Sequence, residues 1–326
     1  MLRRRIFLTV ASVVSLVAAG ACSGIDPITE TLREQIEFES VSFPGQLWEP
    51  FMPQLSEGEP VMVSGALTVP PTDRAVPAVI ITHGCGGISS AESAWVRELE
   101  AVGIATLLLN SFGGRGVSSI CSGVETVNIA SMLVDLYRAA DALDDHPYVD
   151  GSRVAVMGLS FGGRTALWSA MGRFQDQYGG RNFAGYVAFY PSGCYMRLDA
   201  ETDVDGGPIL ILHGSADDWL PIAQCESYVE RLQADGVDAE LKAYEGAHHS
   251  FDDVMLPAEM SILNALSPRK CEFAEQQGEI IDVATGQTAT VDSPCVERGV
   301  TIGYNAEARD QAIKDLTGFL ESIFGG

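Results

Sequence analysis

Positive charge is scarce in this sequence: 20 Lys and Arg residues stand against 44 Asp and Glu, a formal net charge of −24 over 326 residues. Such a surface repels phosphate backbones and anionic headgroups, which argues against nucleic-acid partners. Neither Cys-x-x-Cys nor a clustered Cys/His spacing occurs, so a structural zinc site has no ligand set. Repeats and low-complexity tracts are absent too, which argues against a solenoid. No motif calls for a metal or an organic cofactor.

The N-terminus stands apart from the rest. Arg3, Arg4 and Arg5 precede an apolar run from Ile6 to Val17, then Ala18-Ala19-Gly20-Ala21 leads to Cys22. This is the pattern of a signal peptide over residues 1–22, too short for a convincing membrane span. Ala19-Gly20-Ala21-Cys22 resembles a lipobox, in which the cysteine thiol is lipidated and becomes the mature N-terminus. Arg4-Arg5-Ile6-Phe7-Leu8 resembles a twin-arginine signal, as many basic n-regions do. Removing 1–22 takes away three arginines and no acids, leaving a net charge of about −27. The expectation is an exported protein of the periplasm or cell envelope, attached to membrane only through an N-terminal lipid, and otherwise secreted. Its oligomeric state is not legible.

Cys85, Cys121, Cys194, Cys225, Cys271 and Cys295 remain. An even count in an exported chain suggests disulfides, with buried free thiols as the alternative. The expected pairs are neighbours in chain order: Cys85–Cys121, Cys194–Cys225 and Cys271–Cys295.

Residues 36–43 and 61–69 read as strands that open a sheet antiparallel. From Val76 onward apolar strands alternate with helical patterns. Strands fall at 76–82, 104–109, 154–157, 186–189, 209–212 and 239–243. Helices follow Gly87 with Trp95, Val96 and Leu99 on one face, span 126–144, begin at Phe161, and lie near 222–234. Runs such as Ile209-Leu210-Ile211-Leu212 are those of parallel strands buried on both faces. This predicts one α/β domain over 23–326: a mostly parallel central sheet flanked by helices on both faces. Asn305 caps a last helix with Ile313, Leu316, Leu320 and Ile323 inward. The stretch of about 260–303 before it reads as a disulfide-closed insertion, since so long a loop is seldom structureless.

Gly158-Leu159-Ser160-Phe161-Gly162 fits Gly-x-Ser-x-Gly, entered by a strand and left by a helix, which would expose the serine at a strained turn. Serine is a poor nucleophile without a base, and the base needs an orienting acid. Asp217, preferred over its neighbour Asp218, follows the strand at 209–212. His248 and His249 follow the strand at 239–243, and both cannot face Ser160. His83 and His213 read as structural or pocket-lining, His146 as a surface residue. The backbone amides of Phe161 and Cys85 are candidate oxyanion donors.

Taken with Asn110-Ser111-Phe112-Gly113-Gly114-Arg115-Gly116, His83-Gly84 and Gly246-Ala247-His248-His249-Ser250-Phe251, these pieces resemble the dienelactone hydrolase family of the α/β-hydrolase fold. The resemblance implies His249 as the base, because that family's histidine is followed by a small residue and phenylalanine. It likewise implies Cys85 for the oxyanion turn. Dienelactone hydrolase itself uses a cysteine nucleophile in a small cytosolic enzyme, so the serine, the export signal and the insertion depart from it. Arg115 and Arg164 are weak candidates for binding an anionic substrate group, with salt-bridge roles as the alternative. The expected activity is hydrolysis of a small-molecule carboxylic ester or lactone. An exopeptidase is the enzymatic alternative, for which the chain has no room for a large screening domain. A catalytically inactive envelope scaffold is the alternative from another class, against which the complete Ser/Asp/His set argues.

Overall fold

The computed structural model describes residues 25–45, 51–123 and 127–325. The expectations for residues 1–22, Cys22 included, lie outside that range, as does position 126 at the expected start of a helix. Strands β1 (Leu32–Ser42), β2 (Glu59–Val69) and β3 (Val76–Thr82) lead to helix α1 (Ser90–Ala101), strand β4 (Ala105–Asn110), helix α2 (Ile129–Asp144) and strand β5 (Val149–Leu159). Helices α3 (Phe161–Ser169) and α4 (Gly172–Tyr178) precede β6 (Tyr186–Phe189), the short β7 (Met196–Arg197), β8 (Ile209–Gly214), α5 (Ile222–Ala234) and β9 (Ala239–Tyr244). Five strands then come in succession: β10 (Met260–Ser267), β11 (Phe273–Gln276), β12 (Glu279–Asp282), β13 (Gln287–Thr288) and β14 (Glu297–Ile302). Helix α6 (Ala306–Phe324) closes the chain.

Eight strands form one sheet in the order β1-β2-β4-β3-β5-β6-β8-β9. β1, β2 and β4 pair antiparallel, and every junction from β4 to β9 is parallel. The inner strands are apolar on both faces because both are covered. Ala78 and Ile80 of β3 pack toward α2, α3 and α5, while Val79 and Ile81 pack toward α1 and α6. β1 carries Glu34, Glu37 and Glu39, charges that blunt a free sheet edge.

Caps explain several boundaries. The side chain of Asn128 accepts the Ala130 amide at 2.9 Å at the start of α2, and that of Asn305 accepts the Ala308 amide at 3.0 Å at the start of α6. The inward stripe of α6 is Ala308, Ala312, Leu316, Leu320 and Phe324. Ile313 and Ile323, expected inward, lie at its flanks, because strict i, i+4 spacing rotates the stripe away from them.

The segment read as an insertion is more ordered than a loop. β10 pairs antiparallel with β14, and β13, β12 and β11 form a small sheet with β7. Cys271–Cys295 closes it, and Cys85–Cys121 and Cys194–Cys225 are also formed. Arg115, a candidate substrate ligand, holds the buried Asp135 of α2 through two hydrogen bonds at 2.7 and 3.0 Å, and donates to the Val41 and Ser111 carbonyls. Its guanidinium is therefore committed to the scaffold, where the positive charge offsets the desolvated Asp135 carboxylate.

Arg115→Met should lower stability by about 3–5 kcal/mol in urea unfolding, because it strands the Asp135 carboxylate in the interior. A change below about 1 kcal/mol, the range of surface ion pairs, would contradict this placement.

Candidate active site

Ser160 sits between the last residue of β5 and the first of α3 with φ 54° and ψ −108°, a strained conformation for a residue with a side chain. Neighbouring backbone leaves no alternative to glycine beside it. A Cβ on Gly158 would lie 2.0 Å from the Gly162 carbonyl oxygen, and one on Gly162 would lie 2.2 Å from that of Thr82. The Ser160 amide donates to the Phe189 carbonyl at 2.9 Å, and its carbonyl accepts the Arg164 and Ser192 amides, each at 3.1 Å. The turn is thereby tied to β6 on one side and α3 on the other.

The loops after β8 and β9 are pressed together. The Ala216 amide donates to the Ala247 carbonyl at 3.0 Å, the Ser215 amide to that of Tyr244 at 2.9 Å, and the His248 Nδ1–H to that of Ala216 at 3.0 Å. His248 is thus spent on the loop. His249 faces the serine, with Nε2 3.0 Å from Ser160 Oγ and Nδ1 2.7 Å from Asp217 Oδ2. Asp217 Oδ1 accepts the Trp219 and Leu220 amides, both at 2.9 Å. Burial alone would raise the Asp217 pKa. His249, His213 and the Leu220 amide outweigh it and hold the carboxyl below its ordinary value, hence ionised at neutral pH.

The imidazole is gripped by rings, Tyr190 at 4.4 Å and Trp219 at 4.7 Å between centroids. The His249 backbone carbonyl accepts the Gly303 amide at 3.1 Å, so the chain just past β14 braces this residue. Asp218, the competitor for the acid, turns the other way, accepting the Thr301 amide at 2.7 Å and lying 3.8 Å from Arg269. His83 and His213 are buried, and burial lowers the pKa of each, so both stay neutral. His146 pairs with Glu34 at 2.7 Å, far from the serine in the fold.

Cys85 and Phe161 line the same cavity as Ser160. The turn holding Cys85 is fixed at three points: Glu92 accepts the Gly84 amide at 3.2 Å, the Cys85 carbonyl accepts the Ile120 amide at 2.8 Å, and the sulfur is in the disulfide to Cys121. Arg164 also lines the cavity, but its Nε and Nη2 donate to the Ser192 carbonyl and to the Tyr195 hydroxyl. Among the described residues no cluster of His, Cys, Asp or Glu is disposed to hold a metal ion. Sequence reasoning missed Tyr190 and Trp219. Trp219 could have been suspected from standing two residues after Asp217, whereas Tyr190 carries no local signal.

A model described as the dienelactone hydrolase family matches residues 64–324. The chain is 25% identical over 185 residues to a Bradyrhizobium protein assigned as a 2-oxo-3-(5-oxofuran-2-ylidene)propanoate lactonase, covering 55% of this chain and 74% of that one. It is 25% identical over 233 residues to an uncharacterized peptidase of Bacillus subtilis and 27% identical over 234 residues to the acylamino-acid-releasing enzyme of Rattus norvegicus. Each of these covers 60% of this chain but only 35% and 31% of the relatives' own length. A Klebsiella pneumoniae protein assigned as a dienelactone hydrolase has a TM-score of 0.53 at 18% identity, covering 88% of this chain and 98% of that one. A dienelactone hydrolase-like promiscuous phosphotriesterase from metagenomic libraries has a TM-score of 0.54 at 16% identity, covering 89% and 99%. At such identities the structural likeness is one of fold.

Behind Tyr190 lies Asp252, fully buried, accepting the Tyr190 hydroxyl and the Trp95 indole N–H, each at 2.6 Å. Burial is the main cause that pushes its pKa up to about 6, with Glu92 adding to it against the two hydrogen bonds. A raised folded-state pKa means that ionisation costs native stability. Asp252 contributes fully below its ordinary value of 3.8 and loses that contribution as pH rises through about 6. The stability of the wild type relative to Asp252→Asn should therefore fall between about pH 4 and 6 and be level above about pH 7, read by urea unfolding. A difference independent of pH would contradict the assignment.

Proposed function

The chain belongs to the dienelactone hydrolase family and is a hydrolase acting on ester bonds, and from that premise we propose that it cleaves small-molecule carboxylic esters or lactones through an acyl-enzyme on Ser160. The observation that carries this reading is the unbroken hydrogen-bonded series from Asp217 through His249 to Ser160 Oγ. Ser160 Oγ attacks the carbonyl carbon while His249 Nε2 takes its proton. Asp217 holds Nδ1–H and stabilises the imidazolium. The tetrahedral oxyanion forms between the amides of Phe161 and Cys85. Its collapse expels the alcohol, which takes the proton from His249. Water, deprotonated by the same imidazole, then attacks the acyl-enzyme, and the acid leaves as His249 returns the proton to Ser160 Oγ. A lactone would leave acid and alcohol on one product.

The protein would work outside the cytoplasm, anchored by a lipid on Cys22. The support is the signal-like pattern of residues 1–22 together with three disulfides, which persist in oxidising compartments. Amide hydrolysis is the second reading, favoured by the likeness to two relatives named for peptidase activity, though the chain spans about a third of each.

A fluorophosphonate probe should label Ser160 in the folded protein, and Ser160→Ala should abolish both the label and p-nitrophenyl acetate hydrolysis. His249→Ala and Asp217→Asn should lower kcat by roughly 10³-fold or more. Absence of an adduct on folded wild type, or faster turnover of an aminoacyl amide than of any ester, would sink the esterase reading. In a bacterial host, metabolic labelling with palmitate should mark the wild type and not Cys22→Ala. Equal labelling of both would remove the anchor.

A further inference from the structure

The cavity beside Ser160 is small, about 80 Å³, against roughly 300–1,000 Å³ for pockets that engulf drug-sized ligands. Trp219 and Leu220 form one side, and Leu266, Pro268, Val291 and Val296 the other. The last four belong to the segment between β9 and α6, so residues foreign to the sheet scaffold form one wall of the site. All six are apolar. The cavity's one cation, Arg164, is buried, with its guanidinium 5.1–5.3 Å from the rings of Phe161, Trp168 and Tyr195 and its donors directed to Ser192 and Tyr195.

Which half of an ester would enter follows from the proton. The leaving alcohol is protonated by His249 Nε2 and must depart on the imidazole's side. His249 is not among the cavity's lining residues, whereas Ser160 and the two oxyanion candidates, Cys85 and Phe161, are. The substituent that points away from the imidazole is the acyl group.

The wall is anchored. The Leu266 amide donates to the Cys121 carbonyl at 3.2 Å, the Trp219 indole N–H donates to the Leu266 carbonyl at 2.8 Å, and the buried Ser267 hydroxyl donates to the Trp219 carbonyl at 2.9 Å. Cys271–Cys295 then ties the segment carrying Pro268 to the one carrying Val296. Leu266 and Val291 meet over Gly123, where an added Cβ would lie 2.7 Å from Leu266 Cδ1.

We propose that this cavity is the acyl site and that the segment carrying Leu266, Pro268, Val291 and Val296 is its fixed end wall, so that the enzyme takes esters of short, unbranched, uncharged acyl groups. The proposal rests on the acyl-enzyme reading above and adds the substrate class. A longer chain directed at this wall would collide with side chains held by hydrogen bonds and a disulfide.

The test uses the disulfide-intact protein and p-nitrophenyl esters from acetate to dodecanoate, beside a series of acetate esters of longer and longer alcohols. For wild type, kcat/KM should drop roughly tenfold or more between butyrate and octanoate, and the alcohol series should show no comparable break. Leu266→Ala and Val291→Ala should raise the octanoate-to-acetate ratio roughly tenfold. Val296→Phe acts in the opposite sense, lowering butyrate relative to acetate, and serves if the truncations fail to fold. A flat acyl series with normal phosphonate labelling would overturn the acyl site alone. So would variants that reshape the alcohol series, or a p-nitrophenyl hemisuccinate turned over faster than the butyrate. Loss of all ester turnover together with no adduct would instead overturn the enzymatic reading.

Discussion

The contact on which the site geometry depends contains no side chain: Gly214 and Ala247 lie so close that a Cβ on the glycine would sit 2.1 Å from the alanine carbonyl oxygen. This closeness lets the main chains of the β8 and β9 loops exchange hydrogen bonds, and through them Asp217 and His249 share one rim. The same economy governs the serine. Gly158 and Gly162 let β5 and α3 approach Thr82 and each other at distances no side chain tolerates. Three strand ends converge because backbone replaces side chain at each crossing, and the positions of Ser160, His249 and Asp217 follow from main-chain geometry.

Much of this was legible because local chemistry forces it. A parallel strand covered on both faces must be apolar throughout, so β3, β4, β6 and β8 announce themselves. The Gly-x-Ser-x-Gly turn between a strand and a helix has few other uses. The choice between Asp217 and Asp218 was harder, since neighbouring carboxylates differ in nothing but direction. The structure distinguishes them by what each accepts: Asp217 takes two amides of its own loop and the imidazole, and Asp218 takes Thr301 from the far segment. The disulfides join neighbours in chain order, and so were within reach of the simplest guess. Arg115 was not separable from Arg164 by sequence, because the partner that commits it, Asp135, reads as an ordinary helix residue until the fold buries it.

The five strands β10 to β14 were the least legible part. Their pairing is non-local, since β11 adds to β7 some 75 residues earlier in the chain, and β12 and β13 are too short to show a period. Ala265, Phe273, Ile280, Val300 and Ile302 join the core cluster on the α2 and α3 face of the main sheet, but each strand contributes only one or two of them, too few to mark an amphipathic pattern. Tyr190 was hidden for a related reason. Its ring contacts His249 and its hydroxyl contacts Asp252, and both partners lie about sixty residues away in the loop after β9.

The two adjacent carboxylates explain why that late segment belongs to the site. Asp217 anchors the imidazole, and one residue on, Asp218 anchors the end of β14, while the Asp218 carbonyl accepts Arg269 Nη1 at 2.8 Å near the end of β10. The Gly303 amide returns to the His249 carbonyl. A shift of the segment would therefore pull on both Asp217 and His249, and under the proposed mechanism a displacement of about 1 Å at such distances costs orders of magnitude in rate. Coupling of this kind favours rigidity: a segment tied to His249 and to the neighbour of Asp217 cannot open and close without disturbing the hydrogen bond between Asp217 and His249. Its hydrogen bonds to Cys121, Asp218, Trp219 and His249 and its disulfide are what such a constraint requires, and they make the wall beside Ser160 part of the site's frame.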